Sequence, residues 1–205
     1  MRVLLAIAAV LALAACGADY TRAPDDVVAR ARYVHDGPPE IALVTVINNR
    51  SEEGAHAALI INASERVIFD PAGTWYHPWA PVQHDVHYGI TPLVEQRYIE
   101  YHTRITYRTV VQRMTVSPEL AETVMQIARG YGPVNKAFCG DSVSDILRRA
   151  GFDVPRTFFP KQIMNAFDKL PGVTSVTHTS GDPDDNKAKL LAQEEEALRA
   201  RRTGG

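Results

Sequence analysis

The sequence predicts an α+β domain, with an antiparallel sheet built first and helices packed on it afterwards. Three observations predict it. Runs rich in Val, Ile, Thr and Tyr recur between residue 40 and residue 116. Turn residues punctuate those runs at short intervals, and strong helix start and stop signals cluster after residue 117.

The first fifteen residues read as an export signal. Arg2 supplies a positive start and Val3 to Ala12 is an unbroken run of Val, Leu, Ile and Ala. That run has the length of a signal-peptide core and is too short to cross a bilayer as a helix. It ends in Leu13-Ala14-Ala15-Cys16, which resembles the lipobox of bacterial lipoproteins. The resemblance implies cleavage before Cys16 and lipid on that cysteine. It also implies a membrane partner through the anchor and a periplasm-facing location in the cell envelope, at the outer membrane because Gly17 rather than Asp follows. Several acyl chains on one residue make a stable anchor where a single chain does not.

Residues 16–38 are polar and irregular and read as a tether, with a short helix expected near Asp25–Tyr33. The globular domain is expected over residues 39–179. Glu40–Ile47 and His56–Ile61 read as a hairpin around Asn48-Asn49-Arg50-Ser51, and Arg66–Phe69 as a third strand closed by Asp70-Pro71-Ala72-Gly73. Residues 74–92 read as a long loop dense in Trp, His and Pro, and loops of that length are usually functional. Two further strands are expected around Arg97–Tyr107 and Arg108–Val116. Ser117-Pro118-Glu119 then starts a helix that stops at Gly130, with Ser as N-cap and Pro at the first helical position. A second helix runs from Cys139 to Ala150 before Gly151, a third over Lys161–Lys169, and Val173–Thr177 adds an edge strand. The charged segment 180–205 reads as a solvated tail, disordered or frayed helical.

Composition narrows the function. About 190 residues from Cys16 onward suffice for one domain with a real core. A net charge of -2 offers no basic patch, which argues against nucleic acid as a partner. With Cys16 committed to lipid, Cys139 is the one remaining thiol in an oxidising compartment.

Three residues carry candidate chemistry. Cys139 opens a helix, where free amides and the positive end of the dipole favour a thiolate, and its own N–H is placed to hold an oxyanion. His56 stands at the mouth of an apolar strand. Asp70 follows the next strand, so pairing of the two strands through the Asn62–Glu65 turn brings Asp70 near His56.

A cysteine heading a helix and a histidine heading a strand, with a polar residue on the next strand, resemble the NlpC/P60 papain-like superfamily. Because His56 precedes Cys139, the order is similar to the circularly permuted branch, which includes YiiX-like and lecithin retinol acyltransferase-like proteins. The resemblance covers residues 40–152. It implies a papain-like fold and cysteine-dependent cleavage or transfer at an amide or ester, with Cys139 as nucleophile, His56 as base and Asp70 as third residue. It requires no cofactor, and with the compartment it makes cell-wall peptides (peptidoglycan) the leading substrate class. Gly140 stands where that family commonly has Ser after the cysteine, and Ala55 separates Gly54 from His56.

Two other readings remain open. Cys139, Val143, Ile146, Leu147 and Ala150 share one helical stripe, so Cys139 also fits a small core residue in a non-catalytic binding lipoprotein. His77, His84 and His87 with Asp85 offer donors for a metal, although no spacing matches a known ligand set, and none is assigned. Trp75 and Tyr76 in the loop, and Tyr131 and Asn135 before Cys139, are candidate pocket-lining residues.

Overall fold

The computed structural model describes residues 22–186 and 189–196. The signal segment 1–15 and Cys16 lie outside the described residues. None of the described helices is long and apolar enough to cross a membrane.

Seven antiparallel strands form one sheet. In chain order they are β1 (Glu40–Asn48), β2 (Gly54–Asn62), β3 (Arg66–Phe69), β4 (Val82–Gln83), β5 (Val86–His87), β6 (Tyr107–Thr115) and β7 (Thr174–His178). Their order across the sheet is β4-β5-β3-β2-β1-β6-β7. The helices are α1 (Asp25–Ala31), α2 (Pro92–His102), α3 (Pro118–Arg129), α4 (Cys139–Arg149) and α5 (Pro160–Phe167). The architecture is α+β, as the segregation of strands and helices implies.

Both faces of the sheet are covered, which is why β1 is apolar at nearly every position rather than alternating. On one face Leu43, Leu59, Ile61 and Phe69 pack against Met125 of α3, Ile146 and Leu147 of α4, and Phe167 of α5. On the other, Ala42, Val44, Ile60 and Ile68 meet Val94, Tyr98 and Ile99 of α2. The sheet is thus the middle of three layers.

The strand expected around Arg97–Tyr107 is instead mostly helix α2. Thr91 caps it by accepting from the Val94 N–H, and Pro92 sits in its first turn. A buried ion chain then ties α2 to the sheet: Glu95 pairs with Arg66 of β3 and Arg113 of β6, and Arg113 reaches Glu40 of β1 at 2.5 Å. Local alternation in 97–107 loses to this cap and these partners. Among the other helices, α3 also carries a side-chain cap. Ser117 Oγ accepts from Leu120 N–H at α3, and β7 joins the edge at β6.

The long loop after β3 is not wholly irregular, since β4 and β5 form a two-residue hairpin that extends the sheet. The segment after residue 180 also differs from a solvated tail. Residues 189–196 are helical, and Glu194 is buried beside His77 Nε2 at 2.9 Å and Arg97. Asp182 and Asp184 fix the approach, through Ile105 N–H to the Asp182 carbonyl at 2.7 Å and Thr106 Oγ1 to Asp184 Oδ2 at 2.6 Å. Charged residues that looked solvated are holding the chain against the β6 entry.

Candidate active site

β3 is only four residues long and pairs with β2 solely over Leu59–Asn62. The first half of β2 therefore has no strand neighbour on that side. Cys139, at the start of α4, occupies this gap. The Ala57 and Gly140 N–H groups both donate to its sulfur, and His56 hydrogen-bonds it from the side. Cys139 is 8% exposed.

His56 lies between Cys139 and Asp70. Its Nε2–H donates to Asp70 Oδ1 at 2.6 Å, which leaves the other ring nitrogen for the thiol. Burial pushes the imidazolium down, but the Asp70 charge and hydrogen bond outweigh it and raise His56 to about 10. Burial pushes the Asp70 carboxyl up, and His56 outweighs that too, holding it well below the usual carboxylate range. For Cys139, burial again opposes ionisation. The His56 contact and the two backbone amides prevail, and its pKa is lowered. The pairing favours the imidazolium of His56 and the carboxylate of Asp70, and it shifts Cys139 toward its thiolate.

Sequence reasoning brought these three together and missed two others. Tyr98, fully buried on α2, donates its hydroxyl to Asp70 Oδ1 at 2.6 Å. One turn later His102 donates Nδ1–H to the Tyr98 carbonyl at 2.9 Å and stacks on the His56 ring, with centroids 5.6 Å apart and planes 10° from parallel. Burial lowers His102 to about 4, so a neutral ring lies against a charged one. Both residues belong to the segment that reads as a strand. The signal that finds them is Thr91-Pro92, the same cap-plus-proline start that identifies α3 at Ser117-Pro118.

The loops on either side of the site are held by backbone in unusual conformations. The Asp70–Gly73 turn closes with the Gly73 N–H on the Asp70 carbonyl at 3.1 Å, and Ala72 takes φ +56°. Ala137, two residues before Cys139, takes φ +72°. Left-handed alanines cost energy that surrounding contacts must offset, and such residues gather at functional sites. Gly73 itself lies against the Asp70 carboxylate, where a β-carbon would collide. Gly140 has an equally local reason: a β-carbon there would sit 2.5 Å from the Phe158 carbonyl oxygen. The residue after the cysteine is glycine because another backbone crosses the helix start.

Trp75 is buried between Tyr98, at a ring distance of 5.0 Å, and His87, at 4.9 Å. Tyr76 is exposed, and both line a cavity of about 400 Å³ that reaches Asp70. Tyr131 packs on Phe69 at 5.8 Å, and the exposed Asn135 accepts the Phe138 N–H; neither lines that cavity. His77, His84 and His87 are not assembled as a ligand set, since His77 faces Glu194 and His87 faces Trp75. Among the described residues, the cluster with metal-ligand proximity is His56, Asp70 and His102, whose donor atoms lie within 4.8 Å of one another.

Comparison of the chain with protein-family models, with curated proteins and with solved structures finds no match.

Proposed function

We propose that this chain is a cysteine hydrolase or acyltransferase of papain-like type, acting on amide or ester bonds. The observation that carries the reading is the chain of contacts from Cys139 through His56 to Asp70, with the thiol pKa lowered and the imidazole raised to about 10. A buried structural cysteine needs none of these, and burial alone raises a thiol pKa.

The thiolate attacks the carbonyl carbon, and the oxygen takes the negative charge at the start of α4. No side chain caps that helix, which leaves its first-turn amides to take up that charge. Imidazolium His56 gives its proton to the leaving amine or alcohol, forming a thioester on Cys139. Neutral His56 then takes a proton from water or another acceptor, which attacks the thioester and frees the acid or the transferred acyl group. Asp70 keeps the ring oriented throughout. The lipid anchor at Cys16 and the permuted NlpC/P60 resemblance extend this reading to an envelope protein facing the periplasm, with peptidoglycan peptides as the leading substrate class.

A test is incubation of the domain with 4-nitrophenyl acetate, read by nitrophenolate release and by mass spectrometry. One acetyl group on the Cys139 peptide, absent in Cys139→Ala, is the expected result. A modified chain with Cys139 unmodified contradicts it. Digestion of soluble peptidoglycan fragments then tests the substrate class.

A second reading is favoured by one observation, the convergence of His56, Asp70 and His102. In it these residues hold a divalent ion. The hydrogen bonds His56 and Tyr98 make to one Asp70 oxygen fit the first reading better, because an ion would have to displace them. Zinc titration followed by calorimetry separates the two: tight stoichiometric binding lost in His102→Asn supports the metal.

A further inference from the structure

Phe138, Phe158 and Phe159 are 43%, 52% and 62% exposed. All three stand at the start of α4. Phe138 immediately precedes Cys139. The Phe158 ring meets Phe138 edge-on with centroids 5.3 Å apart, and the Phe158 backbone crosses the helix at Gly140. Phe159 precedes α5, whose first residues, Pro160 and Lys161, press on Gly54 at the mouth of β2. Exposed apolar residues scattered singly are ordinary, but grouped phenyl rings mark a binding face.

The fold says which partner reaches that face. Gly54 opens β2 opposite Ile47, near the end of β1, and Asp70 leaves β3 toward the same end of the sheet. The β4–β5 turn joins them there, since the Asp85 carbonyl accepts the Asp70 N–H. The described chain enters beside this turn. Arg22 bridges Gln83, and the Ala23 N–H donates to the Val82 carbonyl, so the step from Arg22 to Ala23 leads away from the site end.

Cys16 is six residues before Arg22. Fully extended, that segment spans at most about 20 Å. A domain of this size is about 40 Å across. With lipid on Cys16, the protein is held to the bilayer by its site end. Acyl chains supply the anchor, and phenyl rings supply apolar contact at the headgroup boundary.

We propose that Phe138, Phe158 and Phe159 form a membrane-contact face that seats the Cys139 end of the domain on a lipid surface. The tether argument rests on lipid at Cys16, whereas the apolar face belongs to the domain itself. On the hydrolase reading, the thiol then works at the bilayer surface.

The test uses the chain from residue 16 with Cys16→Ser, so that no acyl chain assists, and phosphatidylcholine vesicles with brominated acyl chains. A tryptophan is introduced by Phe158→Trp or, as control, by Val34→Trp, and its emission is read as the difference from the parent, which holds Trp75 and Trp79. Val34 is 58% exposed and lies at the opposite end of the sheet, where the Tyr33 carbonyl accepts the Arg66 N–H. At millimolar lipid, emission from Phe158→Trp should move to the blue and be quenched, with Val34→Trp unchanged. Phe138→Ser and Phe159→Ser, each added to Phe158→Trp, should weaken vesicle binding about fivefold. Equal quenching at the two positions, or no blue shift in Phe158→Trp, overturns the face. A blue shift without vesicles that grows with protein concentration assigns the face to a second copy of the chain and overturns the lipid partner. Failure of the anchor shows separately, as Cys16 without lipid in mass spectra of the exported protein, and failure of the hydrolase reading as an unreactive Cys139.

Discussion

Tyr98 and His56 bind the same oxygen of one carboxylate, each 2.6 Å from Asp70 Oδ1. The two donors come from opposite parts of the fold, β2 and α2. Asp70 therefore ties the sheet to its covering helix and orients the imidazole with the same atom. Removing the tyrosine hydroxyl leaves His56 as the sole partner of that oxygen.

Tyr98→Phe should cost about 2 kcal/mol of stability, the usual loss for a hydrogen bond to a buried charge. It should also raise the His56 pKa further, because Asp70 Oδ1 is then less shared. Urea unfolding and the His56 imidazole resonances across pH read the two effects. A variant with unchanged stability and unchanged His56 titration contradicts the shared-oxygen arrangement.

His102 makes stability fall in acid. Its folded pKa of about 4 lies below the ordinary value of 6.5, so between these values the unfolded chain binds a proton that the folded chain refuses. Stability from this group is complete above pH 6.5 and declines as pH drops toward 4, by about 3 kcal/mol. His56 works in the other direction: its contribution is complete below pH 6.5 and is lost as pH rises through about 10. Urea unfolding of His102→Asn at pH 6.5 and pH 4.5 should show a flatter acid slope than wild type, whatever its absolute stability.

Gly140→Ala places a β-carbon 2.5 Å from the Phe158 carbonyl oxygen. Backbone must move, and the start of α4 with it, at a cost of about 1–3 kcal/mol. The melting temperature should fall, and Cys139 alkylation at pH 7 should slow as its Ala57 and Gly140 hydrogen bonds loosen. Gly140→Ser should behave the same way, since the clash is with the β-carbon.

Local signals with one mechanism were readable. Ser117-Pro118 opened α3, Cys139 opened α4 before Gly151, and Arg66–Phe69 formed β3 with the turn that carries Asp70. Tyr98 and His102 follow the same kind of start, Thr91-Pro92, but their Arg, Tyr and Ile neighbours mimic strand alternation and mask it. Glu95 between Arg66 and Arg113, partners from distant strands, adds the contacts that local pattern does not show. The docked segment beyond residue 180 has the same origin, since Glu194 is buried only because His77 and Arg97 lie opposite. Contacts far apart in sequence bear on both.

Glu194→Ala should therefore destabilise the domain by about 2 kcal/mol or more, by leaving His77 and Arg97 without their buried carboxylate. A solvated tail predicts no effect. Thermal unfolding compared with Glu196→Ala, whose side chain is exposed, makes the measurement specific.

The most direct test of the Cys139–His56 pair is the pH dependence of iodoacetamide labelling of Cys139, in the wild-type domain and in His56→Ala. The account predicts an apparent pKa well below the free-thiol value of about 8.5, moved up when His56 is lost. A thiol that labels only on unfolding, or one whose pKa is the same in both proteins, would contradict it.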